Sequence, residues 1–217
     1  MYIPSSFAER DVAALFAFIA AHPLATLVTT SPTDGLIATH LPLVLDRNTG
    51  PSGTLFGHLA RANPHARVLG ADGVPALVMF LGPDAYITPT WYRSKEETGR
   101  VVPTWNYVAV HAYCTLRVFD DPQDLRRHLD GLTHEHESGR ADPWHVSDAP
   151  DDYIAAQMKA IVGLHLQIDR LEGKWKMSQN RSDADAAGVV HGLSMSGHPR
   201  DREVARIIEE RRRPERG

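Results

Sequence analysis

The sequence predicts a mainly β domain with helical decoration, arranged as a barrel or a sandwich. Three observations carry this. Five or six strand-like segments follow one another between residues 24 and 120, separated by turns with at most one short helix among them. Helical patterns are otherwise confined to the N-terminus and to the residues after 121. A late segment, 162–178, alternates again after two helices and is expected to rejoin the first sheet, so residues 1–217 are read as one domain.

Residues 7–21 carry an apolar stripe of Val12, Leu15, Phe16 and Ile19. Ser6 followed by Glu9 predicts a capping box at the start of that helix, and Pro23 ends it. Residues 24–30 ("LATLVTT") are rich in β-formers, "SPTDG" at 31–35 has turn chemistry, and 36–46 reads as a second strand, which makes a hairpin. A turn at 47–53 leads to a strand at 54–59 and then to a short helix. Residues 75–82 and 85–92 read as two strands joined through Gly82-Pro83-Asp84, and 106–120 as one long strand. The segment between Tyr92 and Val101, "RSKEETGR", reads as an exposed, mobile loop. Asp121-Pro122 opens a helix with Leu125, Leu129 and Leu132 on one face. Helices are further expected at 151–161, at 182–196 behind a Ser182 cap, and at 200–213 with a stripe of Val204, Ile207 and Ile208. The Pro- and Asp-containing stretch 139–152 is the most plausible loop or internal boundary.

Composition narrows the function classes. The chain has 217 residues, room for a sizeable core, and its net charge of −4 gives no chain-wide basic field for nucleic acid. Any DNA contact needs a local patch, and the basic stretch 211–216 reads either as a solvated tail or as such a patch. Cys114 is the only cysteine, so no internal disulfide and no multi-cysteine zinc centre can form. No secretory leader and no apolar run of membrane-spanning length appears, and the cytoplasm is the expected compartment.

The residues that could carry chemistry fall in three places. The junction "GHLARANPHAR", 57–67, packs His58, Arg61, Asn63, His65 and Arg67 behind a strand. A helix start with free N–H groups and nearby cations suits an anion, and a solvated loop explains the same residues. "AYITPTWY" and "VPTWNY" set Trp91, Tyr92, Trp105 and Tyr107 beside threonines; these flat side chains suit either a core or the wall of a planar ligand site. "KWKMSQNRSD", 174–183, offers Lys174, Lys176, Ser178, Gln179, Asn180 and Arg181. Their amides and hydroxyls both donate and accept, as the edge of a heterocycle requires, though a polar loop before a helix cap needs nothing more. His134 and His136 are two apart at a helix end and do not share a face, so no metal is expected. No phosphate-binding glycine loop, no G-x-S-x-G elbow and no helix-turn-helix stands out.

"FGHLARANPH", "GPDAYITPTWY", "VPTWNY" and "KWKMSQNR", in this order and at these spacings, resemble the PaiB-type proteins, the FMN-binding negative transcriptional regulators. The resemblance runs from Tyr2 to about Ile208. It implies a six-stranded antiparallel split β-barrel, a homodimer, and FMN at the subunit interface, with haem the less expected cofactor. It further implies a flavin phosphate against His58–Asn63, using the backbone N–H groups of Ala60 and Arg61 and the charge of Arg61. Thr29, Thr30 and His40 on the adjacent hairpin are the next candidates. Trp105 and Asn106 would approach the ring, and Ser178, Gln179 and Asn180 its polar edge, from either subunit. The functions implied are a transcriptional regulator or flavin sensor, with DNA a possible partner, or alternatively an FMN-dependent oxidoreductase or a haem-handling relative.

Overall fold

The computed structural model describes residues 1–33, 35–69 and 73–213. Its strands are β1 (Ala8–Glu9), β2 (Leu24–Ser31), β3 (Gly35–Pro42), β4 (Val44–Asp46), β5 (Thr54–Ala60), β6 (Val74–Ile87), β7 (Thr104–Phe119) and β8 (Ile161–Lys176). Its helices are α1 (Val12–Ala21), α2 (Pro64–Arg67), α3 (Arg93–Thr98), α4 (Pro122–Glu137), α5 (Asp151–Lys159), α6 (Asp183–Met195) and α7 (Pro199–Arg212). The strands hydrogen-bond in the order β3-β2-β6-β7-β8-β5-β4, and β1 pairs with the end of β8. The β1–β8, β2–β3, β2–β6, β4–β5 and β5–β8 ladders are antiparallel, so the chain is mainly β with helices, as its alternation predicts.

The barrel expectation needs correction in two respects. There are eight strands rather than six, and no ladder joins β3 to β4 among the described residues, so the hydrogen-bonded path does not close. The extra strands are the two shortest, β1 and β4. β4 is separate because the chain breaks at Leu43: Pro42 has no N–H to give, and the Leu43 N–H donates to the Pro23 carbonyl at 2.9 Å instead of to a ladder.

The chain divides into two compact units. One comprises residues 16–80 and 111–171; the other comprises 1–15, 81–110 and 172–217. The divisions fall inside α1, β6, β7 and β8, not in the 139–152 stretch that the sequence suggests as a boundary.

The first unit contains β2 to β5, the parts of the long strands at 74–80, 111–119 and 161–171, and α2, α4 and α5. Its core follows strand alternation: Ala25, Leu27, Leu55, Leu59, Val78, Phe80, Leu116, Leu164 and Leu166 are buried. Asp121 caps α4, accepting from the Gln123 and Asp124 N–H groups at 2.9 and 3.1 Å, with Pro122 in the first turn. Gly163 leaves room for the Phe119 ring, which would lie 2.2 Å from an added Cβ. The turn expected at 31–35 includes residue 34, which lies outside the described residues.

The second unit contains β1, the remaining parts of the long strands, and α3, α6 and α7. Ser182 caps α6, accepting from the Asp185 N–H. Trp91 lies on α6 where Gly188 and Gly192 leave it space. The stripe on α7 is buried at Val204 and Ile208.

Four local expectations fail. The first helix begins at Val12, because Asp11 takes the capping role: its Oδ1 accepts from the Ala13 N–H at 2.9 Å, while Glu9 lies in β1. Residues 75–82 and 85–92 are not two strands, because β6 runs unbroken through Gly82-Pro83-Asp84 and ends at Ile87. The "RSKEETGR" segment is a helix, α3, closed by Gly99 at φ 65°. The basic stretch is engaged at Arg211 and Arg212, while Arg213 is exposed. Arg211 pairs with Glu9 and lies over Trp175, and Arg212 pairs with Asp183. Residues 214–217 lie outside the described residues.

Candidate functional site

The candidate residues separate into two sets, one in each unit. In the unit of residues 16–80 and 111–171, the centre is His65. It is fully buried, and each ring nitrogen meets a threonine hydroxyl: Nε2 and Thr29 Oγ1 at 2.8 Å, Nδ1 and Thr39 Oγ1 at 2.9 Å. Burial pushes its pKa below the ordinary histidine value, so the ring is neutral at pH 7. One nitrogen then donates and the other accepts, which fixes how the two hydroxyl protons can point. Asn63 positions His65: its Oδ1 accepts the His65 N–H at 2.9 Å, capping α2, and its Nδ2 lies 3.5 Å from Thr39 Oγ1.

Strand geometry sorts the other residues of this set. Thr29 is buried and Thr30 exposed, since consecutive strand residues face opposite sides. His40 is exposed, with its Nδ1 3.0 Å from Thr26 Oγ1 across the hairpin register. His58 meets His128 of α4, Nδ1 to Nε2, at 3.0 Å. Ala60 is the last residue of β5, paired with Ile161. The Arg61 N–H donates to the Ala160 carbonyl at 2.8 Å. Its half-exposed guanidinium donates through Nε to the Lys159 carbonyl at 3.1 Å and through Nη2 to Asp120 at 3.3 Å, leaving Nη1 without a partner among the described residues.

The second set lies in the unit of residues 1–15, 81–110 and 172–217. Asn106 is buried and donates through Nδ2 to Ser178 Oγ at 2.9 Å. Ser178 has φ 61°, rare for a residue with a side chain, and its carbonyl accepts from the Arg181 N–H and from Arg212 Nη1. Gln179 folds back on the strand end, accepting from the Met177 N–H at 2.7 Å and donating to the Trp175 carbonyl at 2.6 Å. Asn180 is exposed in the same turn. Lys176 is held by Thr104 Oγ1 and by the Trp105 carbonyl at 2.7 Å; burial, with Lys174 and Arg181 nearby, lowers its pKa. Trp105 and Tyr86 are both half exposed and meet edge to face at 5.9 Å. Arg181 lies 4.5 Å over the ring of Tyr92, whose buried Oη has no hydrogen-bond partner among the described residues. Burial pushes that phenol up, against the positive charge of Arg181.

Thr39, Asp120 and His128 join His65 in the first set, and no sequence motif marks those three. His65 was visible as a residue of the polar junction, but its burial was not. Among the described residues no group of three or more His, Cys, Asp or Glu side chains converges to hold a metal. Cys114 is buried, and burial beside Asp169 pushes its thiol up to about 12, so it offers no thiolate. No helix among the described residues is long and apolar enough to cross a membrane.

Comparison with known proteins agrees with the motif pattern. The sequence model of a family described as "Putative FMN-binding domain" matches residues 1–170. A protein of Emericella nidulans is 36% identical over 245 residues, covering 97% of both chains. Protease synthase and sporulation protein PAI 2 of Bacillus subtilis is 32% identical over 211 residues, covering 97% of this chain and 98% of its own. Among solved structures, the FAD and heme binding protein from Mycobacterium smegmatis superposes with a TM-score of 0.58 at 22% identity, over 83% of this chain and 78% of that one. That likeness shows a shared fold. With a family match over most of its length and a PAI 2 relative along nearly all of it, the chain belongs to the PaiB-type FMN-binding family, whose cofactor is FMN.

Proposed function

We propose that this chain is a flavin-binding sensor with a negative regulatory role in transcription, acting as a cytoplasmic homodimer. The observation that supports it is the chemistry of the two residue sets. FMN presents an anionic phosphate, a hydroxylated chain and a planar ring with a polar edge. The first set supplies a cation in Arg61 and one outward hydroxyl donor from the Thr29–His65–Thr39 group. The second supplies exposed flat rings in Trp105 and Tyr86, amides in Asn106, Gln179 and Asn180, and an unpartnered buried phenol in Tyr92. The residues present therefore fit the cofactor.

In this reading Arg61 holds the phosphate through its free Nη1. Whichever of Thr29 and Thr39 accepts the His65 N–H donates its own proton to a phosphate or ribityl oxygen, the other hydroxyl being spent on the ring, and Thr30, His40, His58, Ala60 and Asn63 shape the surrounding strand ends. Trp105 and Asn106 meet the ring, and Ser178, Gln179 and Asn180 its polar edge, contributed by the partner copy. When bound, FMN supplies reversible one- or two-electron redox chemistry by itself. The chain's own groups favour holding over proton transfer: His65 is neutral and bonded at both nitrogens, and Cys114 is inert. An FMN-dependent oxidoreductase, or a haem-handling protein, remains the competing reading, and DNA contact in the regulatory reading would need a surface outside the engaged Arg211 and Arg212.

The test is a titration of apo-protein with FMN, followed by flavin fluorescence. Arg61→Ala should weaken binding roughly tenfold or more, since a charge-assisted phosphate contact is worth about 1.5–3 kcal/mol. Asp120→Asn should tighten it a few-fold, because the exposed Arg61–Asp120 pair competes with phosphate by up to about 1 kcal/mol. Arg206→Ala, a surface arginine paired with Glu210, is the control. Parent-like affinity in Arg61→Ala moves the phosphate to Lys174, Lys176 or Arg181. Oxidation of a nicotinamide by the flavin-loaded protein would favour the enzyme, a haem spectrum the haem reading, and a monomer in sedimentation would remove the composite flavin site.

A further inference from the structure

We propose a second ligand site in the unit of residues 16–80 and 111–171, taking a small aromatic molecule with one anionic group. A groove of about 620 Å3 opens there between the sheet and α4, within the range of small-molecule pockets. Register builds its floor. Phe56 of β5 sits opposite Val44 of β4 on one side and His165 of β8 on the other, so the three side chains share one face. The His165 ring meets Phe56 edge to face at 5.3 Å. Helix periodicity builds the roof. Along α4, Arg127 and His128 lie three and four residues after Asp124, and Gly131 and Leu132 three and four after His128, so they too share a face. Gly131, on that face, would meet nothing within 4 Å if it carried a Cβ, so the helix leaves the space open. Val118 and Phe119 close the end.

Charge selects the ligand. Asp124 is paired with Arg127. Asp46 accepts from the Asn48 N–H at 2.9 Å and from Thr49 Oγ1 at 2.6 Å. His128 is bonded to His58. Arg117 alone lines the groove without a carboxylate or other partner among the described residues. An apolar slot with aromatic walls and one uncompensated cation at its edge fits a flat body carrying a single carboxylate or sulfonate. None of the residues proposed to hold FMN lines this groove, so the site would let a regulator read a second molecule besides its flavin.

The probe is 8-anilinonaphthalene-1-sulfonate, titrated onto the full-length protein with and without FMN. Saturable fluorescence at one site per chain is expected, displaced by naphthalene-2-carboxylate. Arg117→Gln should weaken the probe about tenfold, and Gly131→Phe, which fills the slot, should abolish binding. Both should keep the parent's circular dichroism and FMN affinity. Non-saturating fluorescence, or parent-like probe binding in both variants, overturns the proposal. So does displacement of the probe by FMN, or loss of FMN binding in Gly131→Phe, either of which gives the groove to the flavin. Should Gly131→Phe instead convert a dimer to a monomer in sedimentation, the groove is where a second copy sits, and the ligand proposal fails. Arg117→Gln lies on the surface and reports on the anion even where Gly131→Phe folds poorly.

Discussion

Acid should weaken the protein through one imidazole pair. His128 of α4 touches His58 of β5 at 3.0 Å, with the Phe119 ring edge-on beside it. Burial is the first cause that depresses the His128 pKa, and the His58 charge is the second; together they lower it from 6.5 to about 4. His58 is lowered by burial alone and so takes its proton first. The sign follows from linkage. Between pH 6.5 and about 4 the unfolded chain binds a proton at His128 and the native chain does not, so stability falls as the pH is lowered through that window and levels off below about 4. A drop of that size at 1.36 kcal/mol per pH unit is about 3 kcal/mol, and screening by solvent at the partly exposed ring reduces the expected loss to about 2 kcal/mol. The assay is urea unfolding across pH 4–7 for the parent and for His128→Gln, which keeps a hydrogen-bonding group and removes the titration. Asp124, Arg127 and His165 around the groove, and Asp148, Asp151 and Asp152 on the neighbouring α5 and its lead-in turn, are common to both proteins and cancel in the difference. The parent should lose about 2 kcal/mol more than the variant. Parallel pH curves would refute the reasoning, as would a parent that gains stability in acid.

Two further substitutions probe the other unit. Gly188→Ala places a methyl 2.0 Å from the Trp91 carbonyl oxygen, an overlap with backbone that no rotamer relieves, and should lower the unfolding free energy by about 3 kcal/mol or more; a parent-like urea midpoint would contradict the packing of α6 on residues 89–91. Asn106→Ala strips Ser178 Oγ of its buried donor and should cost about 1–3 kcal/mol, readable as a shifted thermal midpoint, with the lost restraint on the 177–181 turn visible as faster amide exchange there.

Strand existence was legible because alternation is a property of consecutive residues: β2, β5, β7 and β8 all lie where their period-two patterns put them. Interruptions were not legible. Gly82-Pro83-Asp84 has turn chemistry, yet β6 carries it, because tertiary pairing outweighs local preference. The break at Leu43 went the other way, set by a hydrogen bond to Pro23 that no local pattern encodes. The α3 helix had its signals in plain view. Arg93 reaches Glu96 and Glu97 at helical spacing, and Gly99 supplies the left-handed stop, but six polar residues between tryptophans resemble a loop.

The candidate site was legible as residue types and illegible as partnerships. A polar junction after a strand reads as free donors, and the structure shows how many are already committed. The Arg61 N–H closes onto Ala160, Asn63 caps α2, and His58 faces α4. What remains uncommitted is narrower: one guanidinium nitrogen of Arg61, and whatever proton His65 leaves on Thr29 or Thr39. Because the His65 ring is neutral and both its nitrogens are occupied, it can leave only one of those hydroxyls free to donate outward through its own proton. The tautomer therefore decides which threonine faces a ligand as a donor. That makes His65, which the junction motif marks only as one polar residue among several, the residue on which the polarity of the first set depends, and it explains why a buried histidine belongs in a junction that looks solvated when read one residue at a time.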